Sequence, residues 1–428
     1  MKKLNYFLDL IVSKFCYSSN FGKIDILFLG DYGNLLYQGE YINKYFLDIQ
    51  QKLGNYKYRE LLMPNPSKSI FKKIGKSQIP LEALLPFPNP KFIIENKNNK
   101  AINAFINHLE WSSWQKFAML YLYQGALNIL KKLQPKVIVL KNSYSPCYVF
   151  IMAAKNLGIP TIELQHGVIN NTHPGYVIPK RLRGKYLLPN YIIVSSEYEK
   201  KILVEKSIFN KKQVKALGIS RYDFLKHYKI NKNDFRRKYG IAQSKKILFW
   251  PTQTHDRLMS QNKENELNAE CVFSTLKEKK DWFLVIKFHP GENQYKSRKF
   301  YEFYAKKYKI KNYLILDSDN ESTYDCIYVS DAVILKHSTV GLESLLMNRP
   351  ILNFELKKSW DLSQFKNLDS CLIISKKDEF KNYLKLLDTS KYKKSFEAQR
   401  QKYIDMYFSN FGTATKENVR FIENVIQR

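Results

Sequence analysis

Short, unbroken apolar runs restrict the fold of this sequence more than any other feature. Nine such runs, rich in Val, Ile, Leu and Phe and closed by polar residues or glycine, are spread over the chain. Because the runs are continuous rather than alternating, they are typical of parallel strands that are covered on both faces. The runs lie within residues 23–31, 136–143, 161–167, 190–196, 246–253, 282–290, 313–319, 331–339 and 350–355.

Helical segments separate the runs. They are predicted within residues 146–157, 197–206, 263–279, 296–307 and 340–347. Alternating strand and helix indicates right-handed βαβ units and doubly wound sheets, and 428 residues exceed one typical domain. We therefore expect an α/β fold of two Rossmann-like domains that face each other across a cleft. The expected parts are an acceptor-side domain at 1–218, a donor-binding domain at 219–410 and a helix at 411–428 that crosses back to the first domain.

The charge balance indicates an anionic partner without naming it. The chain has 70 Lys and Arg against 39 Asp and Glu, a formal net charge of +31, and such an excess attracts polyanions. Nucleic acid, an anionic membrane surface and a phosphorylated small substrate all fit. Compositional drift is the alternative, because the joint abundance of Lys, Asn, Ile and Tyr is typical of AT-rich coding.

Cysteine usage and hydropathy bear on the compartment. The five cysteines are widely scattered and form no CxxC pair, so we predict neither a zinc site nor a disulfide framework. A reducing cytoplasm is the expected compartment. No apolar run reaches the roughly 18 residues that span a bilayer. Residues 4–15 carry an apolar stripe flanked by lysines, interpreted either as a membrane-surface helix or as a helix packed on the first domain.

Polar residues at strand ends form the candidate site, because ligands of open parallel sheets bind beyond the carboxyl ends of the strands. His289 and Pro290 follow an apolar run that ends at Phe288. Pro290 ends the strand because it has no N–H to donate. The imidazole of His289 is interpreted as a donor to a phosphate or a departing oxyanion, and a histidine that only caps the strand is the alternative.

A second group follows the run that ends at residue 335. His337, Ser338 and Thr339 precede a predicted helix, where hydroxyls and free backbone N–H groups form an anion site. Glu343, one turn further on, is predicted either to complete the cap or to bind a ribose. An ordinary capped helix is the alternative.

A third group follows the first strand of the second half. Its residues are predicted to line the donor side of the cleft, and they are Thr252, Gln253 and Arg257.

The first half contributes the candidates for the acceptor side. Gln165, His166 and Gly167 end a strand, and Gly167 permits a positive φ or a close ligand approach. His166 is interpreted as a general base, a phosphate contact or a structural hydrogen-bonding group. Asp31, in a glycine-flanked loop, is the other candidate base, with a helix N-cap as its alternative. A second His-Pro-Gly, which begins at His173, receives no role.

Together these motifs resemble one superfamily. His289-Pro290 and the stretch HSTVGLESLLMNRPIL of residues 337–352 are similar to the paired His-Pro and Ser-Thr motifs of GT-B glycosyltransferases that use cytidine-activated donors. That group includes bacterial sialyltransferases, capsule Kdo transferases and, more distantly, the CDP-glycerol glycerophosphotransferases of teichoic acid synthesis. GISRYD, residues 218–223, resembles the segment that links the two domains. The likeness covers patches of residues 133–354.

The resemblance implies a bacterial GT-B glycosyltransferase of capsule or lipopolysaccharide assembly. By it, His289, Ser338 and Thr339 hold the donor phosphate, and His166 or Asp31 is the base. The expected donor is a nucleotide sugar, in the first place Kdo or a related acidic sugar on CMP. The expected acceptor is a surface polysaccharide or a lipid-linked glycan, and the enzyme is expected on the anionic inner face of the plasma membrane. Neither a metal nor a cofactor is predicted.

Other functions stay open. A transferase that uses a UDP- or GDP-sugar and a glycerophosphotransferase are the nearest alternatives. A sugar-nucleotide epimerase needs several carboxylates in the cleft, and these are hard to place here. A basic nucleic-acid-binding protein is the alternative of another class. It leaves the strand-end motifs unexplained and no recognised nucleic-acid module is present, so nucleic acid is not the expected partner.

Overall fold

The computed structural model describes residues 22–31, 35–37, 40–63, 78–85, 113–143, 147–171, 173–184, 186–253, 259–318, 320–336, 338–356 and 371–428. The chain divides into two compact units. Unit 1 comprises Met1–Asp223 and Met406–Arg428, and unit 2 comprises Phe224–Asp405.

Fifteen strands and fourteen helices are present in the described part of the chain. The strands are β1 Ile26–Asp31, β2 Leu35–Tyr37, β3 Glu40–Ile42, β4 Tyr58–Met63, β5 Gln78–Pro80, β6 Val137–Leu140, β7 Thr161–Leu164, β8 Tyr191–Ile193, β9 Val214–Lys215, β10 Lys246–Pro251, β11 Trp282–Lys287, β12 Tyr313–Leu316, β13 Ala332–Leu335, β14 Ile351–Phe354 and β15 Leu372–Ile374. The helices are α1 Leu47–Lys52, α2 Leu81–Leu84, α3 Ser113–Leu133, α4 Tyr148–Asn156, α5 Glu197–Lys206, α6 Ser220–His227, α7 Lys232–Lys238, α8 Met259–Glu278, α9 Gln294–Lys307, α10 Thr323–Val329, α11 Val340–Leu346, α12 Lys377–Leu386, α13 Ser390–Tyr407 and α14 Ala414–Ile426.

Each unit is built on one parallel sheet. In unit 1 the strand order is β5-β4-β1-β6-β7-β8-β9, and in unit 2 it is β12-β11-β10-β13-β14-β15. In both sheets the first strand lies in the middle, the next strands are added on one side of it, and the later strands are added on the other side. This is the order of a doubly wound Rossmann fold. The expected α/β class is confirmed, and all nine apolar runs are strands.

Burial on both faces explains why the runs are continuous. In β1, Leu27 and Leu29 pack with α3 and α4, whereas Ile26 and Phe28 pack with α1 and α14. All four side chains are fully buried, and a buried residue of this size contributes about 1.5–3 kcal/mol. A polar side chain along β1 would face one helical layer or the other.

Six of the fifteen described strands lie outside the nine apolar runs, and they are β2, β3, β4, β5, β9 and β15. The long helices α3 and α13 also lie outside the predicted helical segments. β4 and β5 lie in a Pro-, Asn- and Lys-rich region, and β9 has only two residues. The helix α3 covers one face of the unit 1 sheet. Among the described residues, no helix has both the length and the apolar character that crossing a membrane requires.

The GISRYD segment ties the C-terminal residues into unit 1. Gly218 has a φ of +82°, and a Cβ there would come within 2.0 Å of the carbonyl oxygen of Ser409. Asp223 accepts backbone N–H bonds from Gly412 and Thr415, each at 2.7 Å. The second bond lies at the start of α14, whose apolar face packs with α1 and β6. Glycine and aspartate are therefore needed here for backbone packing and helix capping.

We predict that Asp223→Ala destabilises unit 1 by about 1–3 kcal/mol, because two backbone N–H donors lose their acceptor. Urea denaturation followed by circular dichroism measures the effect. Asp234→Ala is the matched control, since Asp234 forms only an exposed pair with Arg237. Equal stability of the two variants would contradict this account of the segment.

Candidate functional site

The strand order locates the candidate site within each unit. It reverses between β1 and β6 in unit 1, and between β10 and β13 in unit 2. Ligands of such sheets bind beyond the carboxyl ends of the strands at these points. In unit 1, Lys141 and Gln165 directly follow β6 and β7, and in unit 2, Thr252 and Lys336 directly follow β10 and β13.

Gln165 is buried and holds the loop that carries His166. Its Nε2 donates to the carbonyl oxygen of Gly167 and to Oε1 of Glu199, both at 2.7 Å. Its Oε1 accepts the backbone N–H of Ser195 at 2.8 Å. Burial raises the pKa of Glu199 to about 7. Gln165 therefore cross-links β7 to α5 and positions its neighbour.

His166 is a neutral imidazole in positive surroundings. Burial lowers its pKa to about 3, and the nearby charges of Lys141, Arg221 and His173 act in the same direction. Its Nδ1 lies 2.7 Å from the hydroxyl oxygen of Tyr176. That oxygen also accepts the backbone N–H of His166, at 3.1 Å. The ring is thus held in one orientation, and the backbone of Lys141 also lies within hydrogen-bonding reach of it.

A buried carboxyl lies behind this contact. Glu163, in the middle of β7, is fully buried. Burial raises its pKa to about 8, although the hydroxyls of Ser143 and Tyr176 act in the opposite direction. Glu163 is therefore protonated at pH 7, and it lies near the Tyr176 hydroxyl that contacts His166. Neither residue was predicted as part of the site; the lone acid inside the apolar run TIEL was the available signal.

Gly167 does not need to be glycine for the fold. Its φ is not positive, which corrects one expectation. A Cβ there would meet Nε2 of His173 at 3.6 Å, an ordinary contact. The other expectation, that glycine permits close approach of a ligand, stays a prediction.

The described part of the structure does not include the side chains of three predicted site residues. Arg257 and His337 lie outside the described residues. Asp31 is the last residue of β1, but its side chain is outside the described part of the structure. Their roles stay predictions, so His166 is the candidate base whose surroundings are known.

In unit 2, Thr252 and Glu292 hold the backbone at His289. The Thr252 hydroxyl oxygen and Glu292 Oε2 accept the backbone N–H of His289 at 3.0 and 3.1 Å. The Thr252 hydroxyl also bonds to Glu292. Because Thr252 is 5% exposed, it supports the turn. Gln253, the next residue, is half-buried.

The turn at Pro290 selects one tautomer of His289. The backbone N–H of Gly291 donates to Nδ1 of His289 at 3.0 Å, so the ring proton lies on Nε2. Loss of hydration lowers the pKa of His289 below its ordinary value, so the ring is neutral at pH 7. The residue is exposed. A neutral N–H donor is therefore presented beyond the end of β11.

Ser338 and Thr339 directly precede α11, and only the Ser338 side chain caps it. The Ser338 hydroxyl oxygen accepts the backbone N–H of Val340 at 3.2 Å, whereas the Thr339 hydroxyl makes no capping bond. Glu343 is 1% exposed and accepts a hydrogen bond from the Tyr324 hydroxyl at 3.4 Å. This placement favours a packing role for Glu343.

The strand-end residues Asp317 and Ser318 are held by cations. Lys287 is 5% exposed, and its Nζ donates to the carbonyl oxygens of Asp317 and Ser318 at 3.2 and 2.6 Å. Arg298 pairs with the Asp317 carboxylate at 2.9 Å. Within the described ranges, no group of three or more His, Cys, Asp or Glu side chains is arranged to hold a metal ion.

Two doubly wound units, each with polar groups at the ends of its strands, are the fold class of GT-B enzymes. The model of the family described as CDP-Glycerol:Poly(glycerophosphate) glycerophosphotransferase matches residues 120–367. That match covers more than half of the chain, so this protein belongs to that family.

The similar curated proteins are both primases of teichoic acid synthesis. The teichoic acid ribitol-phosphate primase of Bacillus spizizenii is 26% identical over 231 residues, which are 50% of this chain and 56% of the relative. The teichoic acid glycerol-phosphate primase of Bacillus subtilis is 26% identical over 180 residues, which are 42% and 43% of the two chains. The chain thus spans about half the length of the curated relatives it matches.

Solved structures share the fold at low identity. UDP-GlcNAc 2-epimerase from Neisseria meningitidis superimposes with a TM-score of 0.60 at 12% identity, over 94% of this chain and 99% of the other. The wall teichoic acid polymerase TagF superimposes with a TM-score of 0.57 at 15% identity, over 100% and 97%. At these identities the likeness shows the fold alone.

The lowered pKa of His166 predicts a pH dependence of stability. Between its ordinary pKa of 6.5 and the folded value of about 3, the unfolded chain binds a proton that the folded chain does not. Stability is therefore lost as the pH falls through 6.5, by about 2 kcal/mol at pH 5. The His166→Asn variant should not show this part of the loss of stability on acidification.

Urea denaturation of both chains at pH 7, 6 and 5 measures the difference. His227→Asn, which changes an exposed histidine, is the control. If His166→Asn loses as much stability on acidification as the natural chain, His166 is not held neutral by its surroundings.

Proposed function

We propose that this protein transfers a polyol phosphate, in the first place glycerol phosphate, from a CDP-linked donor to a hydroxyl of a teichoic-acid-type acceptor. Membership of the glycerophosphotransferase family supports the reaction class, and both curated relatives are polyol-phosphate primases. The observation that carries the proposal for this chain is the neutral Nε2–H of His289 beyond the carboxyl end of β11.

The reaction is a phosphoryl transfer. The acceptor hydroxyl oxygen attacks the phosphorus of the polyol phosphate and forms a new P–O ester bond. The P–O bond of the pyrophosphate breaks, and CMP leaves with the electron pair. The hydroxyl proton passes to the imidazole of His166, which acts as general base. Atoms and charge balance without an oxidant or reductant.

Unit 2 supplies the donor side in this proposal. Charge develops on the bridging oxygen and phosphate of CMP as the bond breaks, and fixed donors aimed at that charge lower the barrier. The His289 Nε2–H is such a donor, because Thr252, Glu292 and Gly291 hold its backbone and ring in place. The Ser338 hydroxyl uses its oxygen to cap α11, which leaves its proton available for donation.

Membership of the glycerophosphotransferase family favours the transfer of glycerol phosphate over the transfer of Kdo. The two reactions share one feature, since CMP is the leaving group in both. A site built to stabilise departing CMP therefore suits either donor, which accounts for the resemblance to CMP-sugar transferases. The transferred group, which differs between them, contacts other residues.

The acceptor is proposed to be a lipid-linked or polymeric glycan at the inner face of the bacterial plasma membrane. The net charge of +31 supports attraction to an anionic surface and to an acceptor that carries phosphates. Binding to vesicles of anionic and of neutral phospholipid tests the attraction to an anionic surface.

A nucleotide panel tests the donor class. We predict that CMP and CDP raise the melting temperature of the protein, whereas UDP and GDP at the same concentration do not, because the donor is cytidine-linked. Differential scanning fluorimetry measures the shifts. Stabilisation by UDP alone would overturn the cytidine assignment.

A substitution at His289 tests the site. We predict that His289→Asn lowers the rate of transfer from CDP-glycerol by about 100-fold or more, as expected when one donor to the developing charge is lost. Asparagine retains an acceptor for the Gly291 N–H, so the turn and the melting temperature should be preserved. His227→Asn is the matched control, and near-normal turnover of His289→Asn would remove His289 from the site.

A further inference from the structure

The sequence contains a second His-Pro-Gly turn that the proposed function does not use. In His173-Pro174-Gly175 the glycine N–H donates to Nδ1 of the histidine at 3.1 Å. In His289-Pro290-Gly291 the same bond measures 3.0 Å. Loss of hydration lowers the pKa of both histidines. Both rings are therefore neutral at pH 7 and both carry their proton on Nε2.

The second turn lies beside His166. Nε2 of His173 is 3.6 Å from the point that a Cβ on Gly167 would occupy. The His173 ring packs on the Tyr176 ring with their centres 4.8 Å apart, and the Tyr176 hydroxyl contacts Nδ1 of His166 at 2.7 Å. The N–H donor of His173 is thus next to the loop of the candidate base.

Two cations, Lys141 and Arg221, lie close to the Tyr45 ring. Lys141 directly follows β6, and its Nζ lies 5.1 Å from the centre of the Tyr45 ring. The guanidinium of Arg221 lies 4.7 Å from that centre. The Tyr45 hydroxyl donates to the backbone carbonyl of His166 at 3.2 Å. One tyrosine therefore holds two positive charges near the backbone of His166.

The electrostatics of this cluster favour an anion. After burial, the positive charges of Lys141 and Arg221 are the next causes that lower the pKa of His166. Glu163 adds little negative charge at pH 7, since burial raises its pKa to about 8. Lys141 and His173 are half-buried, so a ligand can reach them, whereas Arg221 is 3% exposed and adds fixed positive charge.

We propose that unit 1 has a phosphate subsite of its own, formed by His173 and Lys141 and backed by Arg221, which binds the phosphate group of the acceptor. This inference rests on the proposed function and names the recognised part of its acceptor: a phosphate ester within a few bonds of the attacking hydroxyl. His173 donates its Nε2–H to a phosphate oxygen, as His289 does on the donor side, and Lys141 pairs with the charge.

The subsite couples acceptor binding to catalysis. A bound phosphate offsets the positive charges of Lys141 and Arg221, so the pKa of His166 rises and the imidazole becomes a stronger base, while burial still holds the pKa below its ordinary value. Without an acceptor, His166 stays a weak base, and water is a poor substitute for the acceptor hydroxyl. The arrangement would limit wasteful hydrolysis of the donor.

Glycerol 3-phosphate is the probe, because it carries a phosphate ester near free hydroxyls. Isothermal titration calorimetry measures its Kd and that of CMP for the natural chain, His173→Gln and Lys141→Met. Both variants should bind glycerol 3-phosphate at least about tenfold more weakly and bind CMP normally. His289→Asn should show the reverse. Lys44→Met is the matched control, since Lys44 also lies over the Tyr45 ring, at 5.9 Å, but is not among the groups that lower the pKa of His166.

Two outcomes overturn the inference. One is unchanged affinity for glycerol 3-phosphate in both His173→Gln and Lys141→Met at an unchanged melting temperature. The other is competition between glycerol 3-phosphate and CMP, which would place the probe in the donor site. Because binding is measured without turnover, failure to transfer glycerol phosphate from CDP-glycerol would count against the proposed function alone.

Nuclear magnetic resonance of the His166 ring provides a second readout. In the natural chain, saturating glycerol 3-phosphate should raise the pKa of His166 from about 3, and glycerol, which is neutral, should not. The rise should disappear in Lys141→Met. An unchanged pKa with the probe bound would contradict the coupling between the subsite and the base.

Discussion

Parallel strands that are buried on both faces are the constraint on which the rest of this molecule depends. Residues Ile26–Leu29 of β1 present only apolar side chains to two helical layers, because a polar group there would lose its hydration. Every crossover helix returns the chain in the same direction, so the carboxyl ends of the strands collect at one edge of each sheet. Most of the polar chemistry is therefore placed at those ends, where the backbone leaves the ladder. Glu163, inside β7, is an exception to this rule, and the loss of its hydration raises its pKa to about 8.

Neutral histidines are the common chemical element of the two units. His289 and His173 each accept a glycine N–H at Nδ1 and are left with a proton on Nε2. His166 differs, because its Nδ1 faces the Tyr176 hydroxyl and its imidazole takes up the acceptor proton in the proposed reaction. The local sequence alone separates donor from acceptor, since a Pro-Gly follows two of the histidines and not the third.

Several site residues could be predicted and several could not, for one physical reason. A polar residue after an apolar run is visible in the sequence, and this led to Gln165, His166, Thr252 and His289. Whether such a side chain faces a ligand or the interior depends on partners that are distant in the chain. Gln165 and Thr252 are buried and hold the neighbouring backbone in place, a role that the pattern of apolar and polar residues cannot indicate. Tyr45 was missed because it contacts the His166 backbone across 121 residues of sequence.

The sequence by itself determined the class of fold, since continuous β-branched runs separated by helices have few arrangements other than doubly wound sheets. It also determined the tautomer of two histidines, because a Pro-Gly turn is a local structure. Only the tertiary structure decided the chemistry around His166. Tyr45, Lys141, Tyr176 and Arg221 come from separate elements, and the electrostatic potential at one imidazole is the sum of charges that only the folded chain brings together.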